Sequence, residues 1–596
     1  MKTNIKLKIN EILMLFVSYI IFECFFIFAT NKFIHDDIEI FVEIIPHFLS
    51  FILYFCIYSL LKNIIRKPFL AGCINLIILY ILGIISVVKF SFLGTPVLIS
   101  DIMFLGSLGE INTLVNVSEI FSIIGWFSIL LLLIAVVLSM RVIYLGTNKI
   151  NVGGWKQFIA NILIVSVLLT PCIFEIVANN NKPANSIIST YISKGFYSGL
   201  YGQFLKEQIQ KPEGYNKNEI KEIIEFEEKD SIKSSWGQPN VIFILSEAFW
   251  DIDNIEEVVF DKDVMEGYKY VKENSQEINM ISPTYAGMTT NVEYELLTGN
   301  SMRYFGLNYI PFNSLYTTKD TANLPSIVKF FNSANYDTKV ISPFDNGKVY
   351  NVKTVYDYLG FKEILLKNDL EKEDNLKGLA VSDEYLYDYV LQELKSNENK
   401  LFLFLKTAQN HMPYRDDKYL NFDISVVDSQ LTNEETFRTK IYGQGIYDAN
   451  ISLKNLYQEI QKIEEPTVVV FFGDHLPSLT TADGTDIIPK LNNVQAQPIY
   501  EKYHTKALIF SNYEIEKDDF SNLSFDGLSA YIMNKIDIET NNYYNWLYSN
   551  INDYIGGNSF ISSDINGNLK TLEDFNQKEL EIYKKKQFYQ YYILTE

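Results

Sequence analysis

The chain of 596 residues is 48% hydrophobic and 15% aromatic, which excludes wholesale disorder and calls for two or more folding units. Its 51 Lys and Arg against 72 Asp and Glu give a net charge of −21, which argues against a nucleic-acid partner held through its phosphates. Four cysteines (Cys24, Cys56, Cys73 and Cys172), all within the first 172 residues, cannot form a disulfide framework and leave no thiol chemistry for the remainder.

From the N-terminus, five apolar runs at about 12–30, 40–61, 69–88, 120–140 and 158–177 are long enough to cross a hydrocarbon core. Such a core is roughly 30 Å thick and takes about 20 helical residues. Four further runs after the first argue against a cleavable signal peptide standing alone. Basic residues cluster before the first span (Lys2, Lys6, Lys8), between the second and third (Lys62, Arg66, Lys67) and between the fourth and fifth (Arg141, Lys149, Lys156). The other two loops are poor in them, which places the N-terminus inside and everything after about residue 178 outside the cytoplasm. Lys89, at an outer end, runs against this pattern. Residues 1–178 hold 11 basic and 10 acidic side chains, leaving 40 and 62 for the rest, so the exported part is acidic and lacks a polybasic lipid-binding face. The expectation is a multi-pass anchor at 1–178 in the cell membrane, with an extracellular remainder.

Residues 179–237 read as a polar connector whose amphipathic stretch, 191–208, either lies on the membrane surface or docks on the following domain. From Asn240 to about residue 540, short continuous apolar runs alternate with helical periodicity, the pattern of an α/β domain with a buried, largely parallel sheet. Strands are expected at 241–246, 338–342, 401–407, 467–473 and 505–511, and helices at 290–297, 326–335, 383–394 and 444–463. Residues 541–596 are rich in Tyr, Asn and Lys and read as a peripheral extension.

Ligands gather outside the carboxyl ends of strands in open α/β sheets. Three such ends carry polar groups: Glu247 after 240–246, His411 in Thr-Ala-Gln-Asn-His-Met-Pro-Tyr (407–414), and the adjacent Asp474 and His475 after Phe-Phe-Gly. Each has a structural alternative, as a cap neighbour, a buried histidine or an Asx-type turn. Only three histidines follow residue 178 (His411, His475 and His504), and two of them fall at these ends, which favours a site. A nucleophile is offered by 282–293, where Gly287 permits a tight turn and Thr289 falls at a helix N-terminus. Free backbone N–H groups there favour phosphate and an alkoxide, and a metal would activate the hydroxyl.

Together with the five-span anchor, Ser246-Glu247, Gly287-Met-Thr289, Asn410-His-Met-Pro-Tyr414 and Gly473-Asp-His475 resemble the lipoteichoic acid synthase group of phosphoglycerol transferases. That group belongs to the sulfatase/alkaline phosphatase-like superfamily. The resemblance implies one divalent ion on Glu247, Thr289, Asp474 and His475, Mn²⁺ in the family's manner with Mg²⁺ and Zn²⁺ open. It also implies Thr289 as nucleophile and His411 as a substrate-binding or proton-transfer group. The donor would be a glycerophospholipid such as phosphatidylglycerol, and the acceptor a lipid-linked glycerol phosphate or glycolipid. One departure stands out. Where the family carries an aromatic-Asn-Arg segment that contacts phosphate, this chain has Tyr350-Asn-Val352, leaving Lys353 or Lys348 to supply charge less well than a guanidinium. A phosphoethanolamine transferase or a phosphodiesterase of the same superfamily is the enzymatic alternative, and a non-catalytic envelope protein the non-enzymatic one. A true sulfatase is disfavoured, since no Cys/Ser-x-Pro-x-Arg motif is present.

Overall fold

A computed structural model describes residues 2–31, 43–93, 96–99, 101, 126–147, 187–206, 209–226, 236–306, 309–316, 324–344, 347, 349–481 and 486–596. The chain divides into two compact units, one holding Met1–Leu105, Ile111–Gln208 and Ala482–Thr485, the other Gly106–Glu110, Ile209–Thr481 and Asp486–Glu596.

The first unit is helical: α1 (Lys2–Asn31), α2 (Ile44–Ile65), α3 (Pro68–Leu93), α4 (Trp126–Thr147), α5 (Ile187–Lys194) and α6 (Phe196–Lys206). Arg66 ends α2 in the left-handed region at φ 58°, and Pro68 then opens α3, a position where its missing N–H costs nothing. Among the described residues, three stretches, Leu7–Thr30, Ile44–Ile65 and Pro68–Phe90, are long and apolar enough to cross a membrane. The fourth expected span falls on α4, whose apolar stretch Leu132–Leu145 is shorter. Residues 120–125 and the fifth expected span, 158–177, lie outside the described residues.

Polar side chains inside this unit tie helices together. Glu11 of α1 accepts hydrogen bonds from Tyr58 and Lys62 of α2, both at 2.5 Å. Glu23 accepts from Tyr19 and, at 2.9 Å, from the Phe196 backbone N–H that opens α6. The stretch at 191–208, expected either on the membrane surface or on the following domain, forms the end of α5 and all of α6 over its described residues. Tyr191 and Phe196 are fully buried within the helical unit, and Tyr191 donates to the Val97 carbonyl at 2.7 Å. Lys89, the residue at odds with the charge pattern, bonds both oxygens of Asp101 at 2.8 and 2.7 Å, which neutralises it locally.

The second unit is built on one eight-stranded sheet. Its strands are β1 (Asn240–Ser246), β2 (Gln276–Ile281), β3 (Asp337–Ser342), β4 (Glu363–Leu366), β5 (Leu401–Lys406), β6 (Thr467–Gly473), β7 (His504–Ser511) and β8 (Asn522–Ser524). Their spatial order is β8-β2-β7-β6-β1-β5-β3-β4. The run β6-β1-β5-β3-β4 is parallel, β7 runs antiparallel to both its neighbours, and β8 is parallel to β2. Because β1 is buried on both faces, its side chains split by parity. Val241, Phe243 and Leu245 enter one apolar core, while Ile242 and Ile244 enter the other.

The helices that matter for the site are α7 (Thr289–Thr298), α8 (Val352–Leu359), α9 (Asp383–Ser396), α10 (Asn433–Ile460) and α11 (Gln577–Thr595). The segment after residue 540 supplies Tyr544, Trp546 and Leu547 to the first core. It is also fastened by polar contacts. Arg303 donates to the carbonyls of Ile555, Gly556, Asn558 and Ile561, and Gln590 of α11 brackets Ser301 through both its backbone N–H and its carbonyl.

Candidate functional site

The parallel register sets Ser246 of β1 beside Gly473 of β6, so Glu247 and Asp474 leave the sheet as neighbours. Gly473 is required by contact. A Cβ there would stand 1.9 Å from the Phe249 carbonyl oxygen. Ala248, at φ 49°, bends the chain after Glu247 and donates its N–H to Asp474 Oδ1 at 2.8 Å. Across from them, Ala286 (φ 57°), Gly287 (φ 148°) and Met288 (φ 61°) make three successive positive-φ residues that launch α7 with Thr289 as its first helical residue. Left-handed backbone at two non-glycine positions is the kind of strain that packed functional sites retain.

These four side chains meet. His475 Nε2 lies 3.1 Å from Asp474 Oδ2, 3.7 Å from Glu247 Oε1 and 3.4 Å from Thr289 Oγ1, and Thr289 donates to Glu247 Oε2 at 3.3 Å. One ligand atom from each of Glu247, Asp474 and His475 lies within 4.8 Å of the others. All three residues are at most 3% exposed, whereas Thr289 is half-buried and reachable.

The donor set fits a divalent cation on three counts. Asp474 Oδ2 is buried with no hydrogen-bond partner among the described residues. Next, His475 Nδ1 lies 2.8 Å from the Leu476 carbonyl, which can only accept, so Nδ1 carries the proton and Nε2 presents its lone pair to the cluster. Finally, burial and then the nearby Asp474 carboxylate hold the Glu247 carboxyl well above its ordinary range, a repulsion that a cation would relieve.

His411 lies beyond β5, half-buried, with the Phe344 ring edge-on at 4.4 Å. Its Nδ1 donates to the Met412 carbonyl at 2.5 Å, and burial, followed by the Lys418 charge, lowers its basicity to about 3. His411 is therefore neutral at pH 7 and offers Nε2 as an acceptor. Tyr350 and Lys353 lie in the turn and first helical turn of α8. Tyr350 is left-handed at φ 54° and half-buried, and Lys353 is exposed. Val352, at the position of the family's arginine, is 4% exposed and packs in the first core, so the backbone turns that position away from solvent. Lys348 lies outside the described residues.

Five residues near the site were not singled out from sequence. Lys406 ends β5 and bonds Glu293 of α7 at 2.8 Å, while Tyr356 of α8 donates to the other Glu293 oxygen at 2.6 Å. This buried trio ties α7 to β5 and α8. Asp383, at the start of α9, is 1% exposed, and burial with the Asp448 charge lifts its carboxyl to about 7. Lys418, 4% exposed, donates to the His411 carbonyl and is pulled down to about 7 by burial, against the opposing charges of Glu247 and Asp383. The one available signal was a charge closing an otherwise apolar strand, at Lys406.

Comparison with known proteins agrees with this architecture. The family model described as Sulfatase matches residues 239–539, about half of the chain. A curated protein of Rhizobium meliloti (strain 1021), described as a putative cyclic beta-1,2-glucan modification protein, is 29% identical over 322 residues, covering 53% of this chain and 48% of its own length. The chain thus spans about half the length of that relative. Among solved structures, Streptococcus pyogenes phosphoglycerol transferase GacH in complex with sn-glycerol-1-phosphate matches with TM-score 0.52 at 23% identity, over 65% of this chain and 95% of that one. The integral membrane lipooligosaccharide phosphoethanolamine transferase A (EptA) of Neisseria meningitidis matches with TM-score 0.50 at 12% identity, over 90% and 97%. At these identities the two structures share the fold with this chain.

Proposed function

The chain belongs to the sulfatase family, and on that premise we propose that it is a membrane-anchored, metal-dependent transferase that moves a phosphoglycerol group from a lipid donor to an acceptor hydroxyl. The observation that carries this reading is the convergence of a reachable Thr289 hydroxyl with the buried Glu247, Asp474 and His475 at the carboxyl ends of adjacent strands. Family membership does not make it a sulfatase, because the hydroxyl at the nucleophile position belongs to a threonine outside any Cys/Ser-x-Pro-x-Arg motif.

Glu247, Asp474, His475 and the Thr289 oxygen would hold one divalent cation, Mn²⁺ by family resemblance, which would offset the carboxylate charges and weaken the hydroxyl's hold on its proton. Thr289 already directs that proton at Glu247 Oε2. In the first half-reaction a Thr289 Oγ–phosphorus bond forms and the bond to the diacylglycerol oxygen breaks, with that oxygen taking up a proton. In the second, an acceptor hydroxyl forms a bond to the same phosphorus and the threonine ester breaks. His411, neutral with Nε2 as an acceptor, fits the second half better: it orients the acceptor hydroxyl by accepting its hydrogen bond, and with a basicity near 3 it does not keep the proton, which passes to the departing Thr289 oxygen. The α7 N-terminus faces its N–H groups toward the transferring anion. An anchor of five spans, with the catalytic unit outside the cytoplasm, keeps the enzyme near a two-tailed donor.

A glucan acceptor in place of lipid-linked glycerol phosphate is favoured by the curated relative described as a glucan modification protein. A phosphoethanolamine group in place of phosphoglycerol has the EptA fold in its favour. Detergent-solubilised protein incubated with labelled phosphatidylglycerol or phosphatidylethanolamine, with and without Mn²⁺, separates these readings. Metal-dependent diacylglycerol release from phosphatidylglycerol, lost in Thr289→Ala, is expected. Release by Thr289→Ala at the wild-type rate would remove threonine as the nucleophile.

A further inference from the structure

A buried ammonium normally has a carboxylate or a full set of acceptors, since an unpaired charge costs several kcal/mol in a low-dielectric site. Two buried lysines flank the loop that carries His411. Lys406, before it, is committed to Glu293 at 2.8 Å. Lys418, after it, forms no ion pair with any described residue. It donates to the His411 carbonyl and lies 4.9 Å from the centroid of the Tyr414 ring, at 4% exposure. An ammonium has three N–H groups, and one carbonyl satisfies one of them. The charged groups bearing on it are Glu247, Asp383 and Arg415, so it stands within electrostatic reach of the proposed metal cluster. Meanwhile the position where an arginine would meet phosphate is Val352, packed in the core.

We propose that Lys418 is the cation that binds the phosphate of the donor, entering from the loop beyond β5 in place of the arginine that the turn before α8 lacks. This rests on the transferase reading above. The arrangement accounts for a lysine buried without a counter-ion among the described residues: its partner is the anion the site exists to bind. It also places positive charge on the same loop as His411, so that donor phosphate and acceptor hydroxyl are held from one element.

The test uses full-length, detergent-solubilised protein loaded with Mn²⁺, titrated calorimetrically with inorganic phosphate, and with glycerol as an uncharged control. Lys418→Gln keeps a donor for the His411 carbonyl and removes the charge, Lys418→Met removes both, and Lys418→Arg keeps the charge. Phosphate affinity should fall at least tenfold in the Gln and Met variants and stay within about threefold in the Arg variant, with Mn²⁺ affinity within about threefold throughout. Phosphate binding by Lys418→Gln within twofold of wild type would overturn the assignment, as would a parallel loss of Mn²⁺ and phosphate binding that arginine does not restore. Should the Met variant fail to fold, the Gln variant decides. Wild-type protein that releases no diacylglycerol from either lipid defeats the transferase reading itself, a result separate from the ranking of the variants.

Discussion

Gly473→Ala tests the site through its scaffold and leaves every proposed ligand in place. The added Cβ would lie 1.9 Å from the Phe249 carbonyl oxygen and 3.0 Å from its carbon, both backbone atoms that cannot swing aside. A carbon–oxygen contact relaxes at about 3.3 Å, so the β6 end and the Ala248–Phe249 turn must separate by about 1.4 Å. That displacement falls between Glu247 and Asp474, whose Oδ1 holds the Ala248 N–H at 2.8 Å. Misplacement by about 1 Å is worth on the order of 100-fold in rate, and disturbing the support of a metal ligand costs about 10–100-fold in affinity. Overpacking itself costs about 1–3 kcal/mol. The expected result is therefore a folded protein with Mn²⁺ affinity and lipid turnover each reduced by one to two orders of magnitude, measured by calorimetry and diacylglycerol release. Wild-type metal affinity and turnover in Gly473→Ala would refute the strand-end geometry.

Three further outcomes are expected. Asp383 is raised to about 7 in the folded protein against about 3.9 unfolded, so its contribution is fully present below about pH 4 and is lost as pH rises through 7. Asp383→Asn should therefore raise the melting temperature at pH 8, by a stability gain of up to about 4 kcal/mol, and make no difference near pH 4; equal effects at both pH values would contradict the buried ionised carboxylate. Lys586 of α11 is buried against Asp526 and donates to Tyr554 at 3.2 Å, so Lys586→Met should cost roughly 3–5 kcal/mol, visible as a large fall in melting temperature, whereas the exposed Lys578→Met changes little. Leu420 is 94% exposed, and Leu420→Cys in intact cells should react with a membrane-impermeant maleimide; reaction only after lysis would reverse the proposed orientation.

The parallel centre of the sheet was legible because strands buried on both faces must be apolar throughout, as Val241–Leu245 and Val468–Phe472 are. Strands β2, β4 and the three-residue β8 were not legible. Gln276 to Ile281 carries its apolar residues among polar ones, and Glu363 to Leu366 is a four-residue edge. Helix α10 begins at Asn433, eleven residues before the expected start at Gln444, under a Thr432–Glu435 capping box. Gly443 and Gly445 disguised its continuity, yet both are packing positions: a Cβ would meet Phe260 at 2.9 Å in one case and Asn410 at 2.1 Å in the other. Within the site, Glu247, Thr289, Asp474 and His475 could be proposed because each follows a recognisable strand end or turn. Lys418 could not, since a lysine in a polar loop betrays nothing of its burial until the chain has folded around it.

The central claim is that Thr289 carries the phosphorus group between donor and acceptor. Peptide mapping of the protein after brief incubation with phosphatidylglycerol and Mn²⁺, quenched without acceptor, tests it directly. A glycerophosphate ester is expected on the peptide containing Thr289, absent when the divalent ion is removed and absent in Thr289→Ala. Diacylglycerol release with no adduct on that peptide, or with one on another side chain, would contradict it.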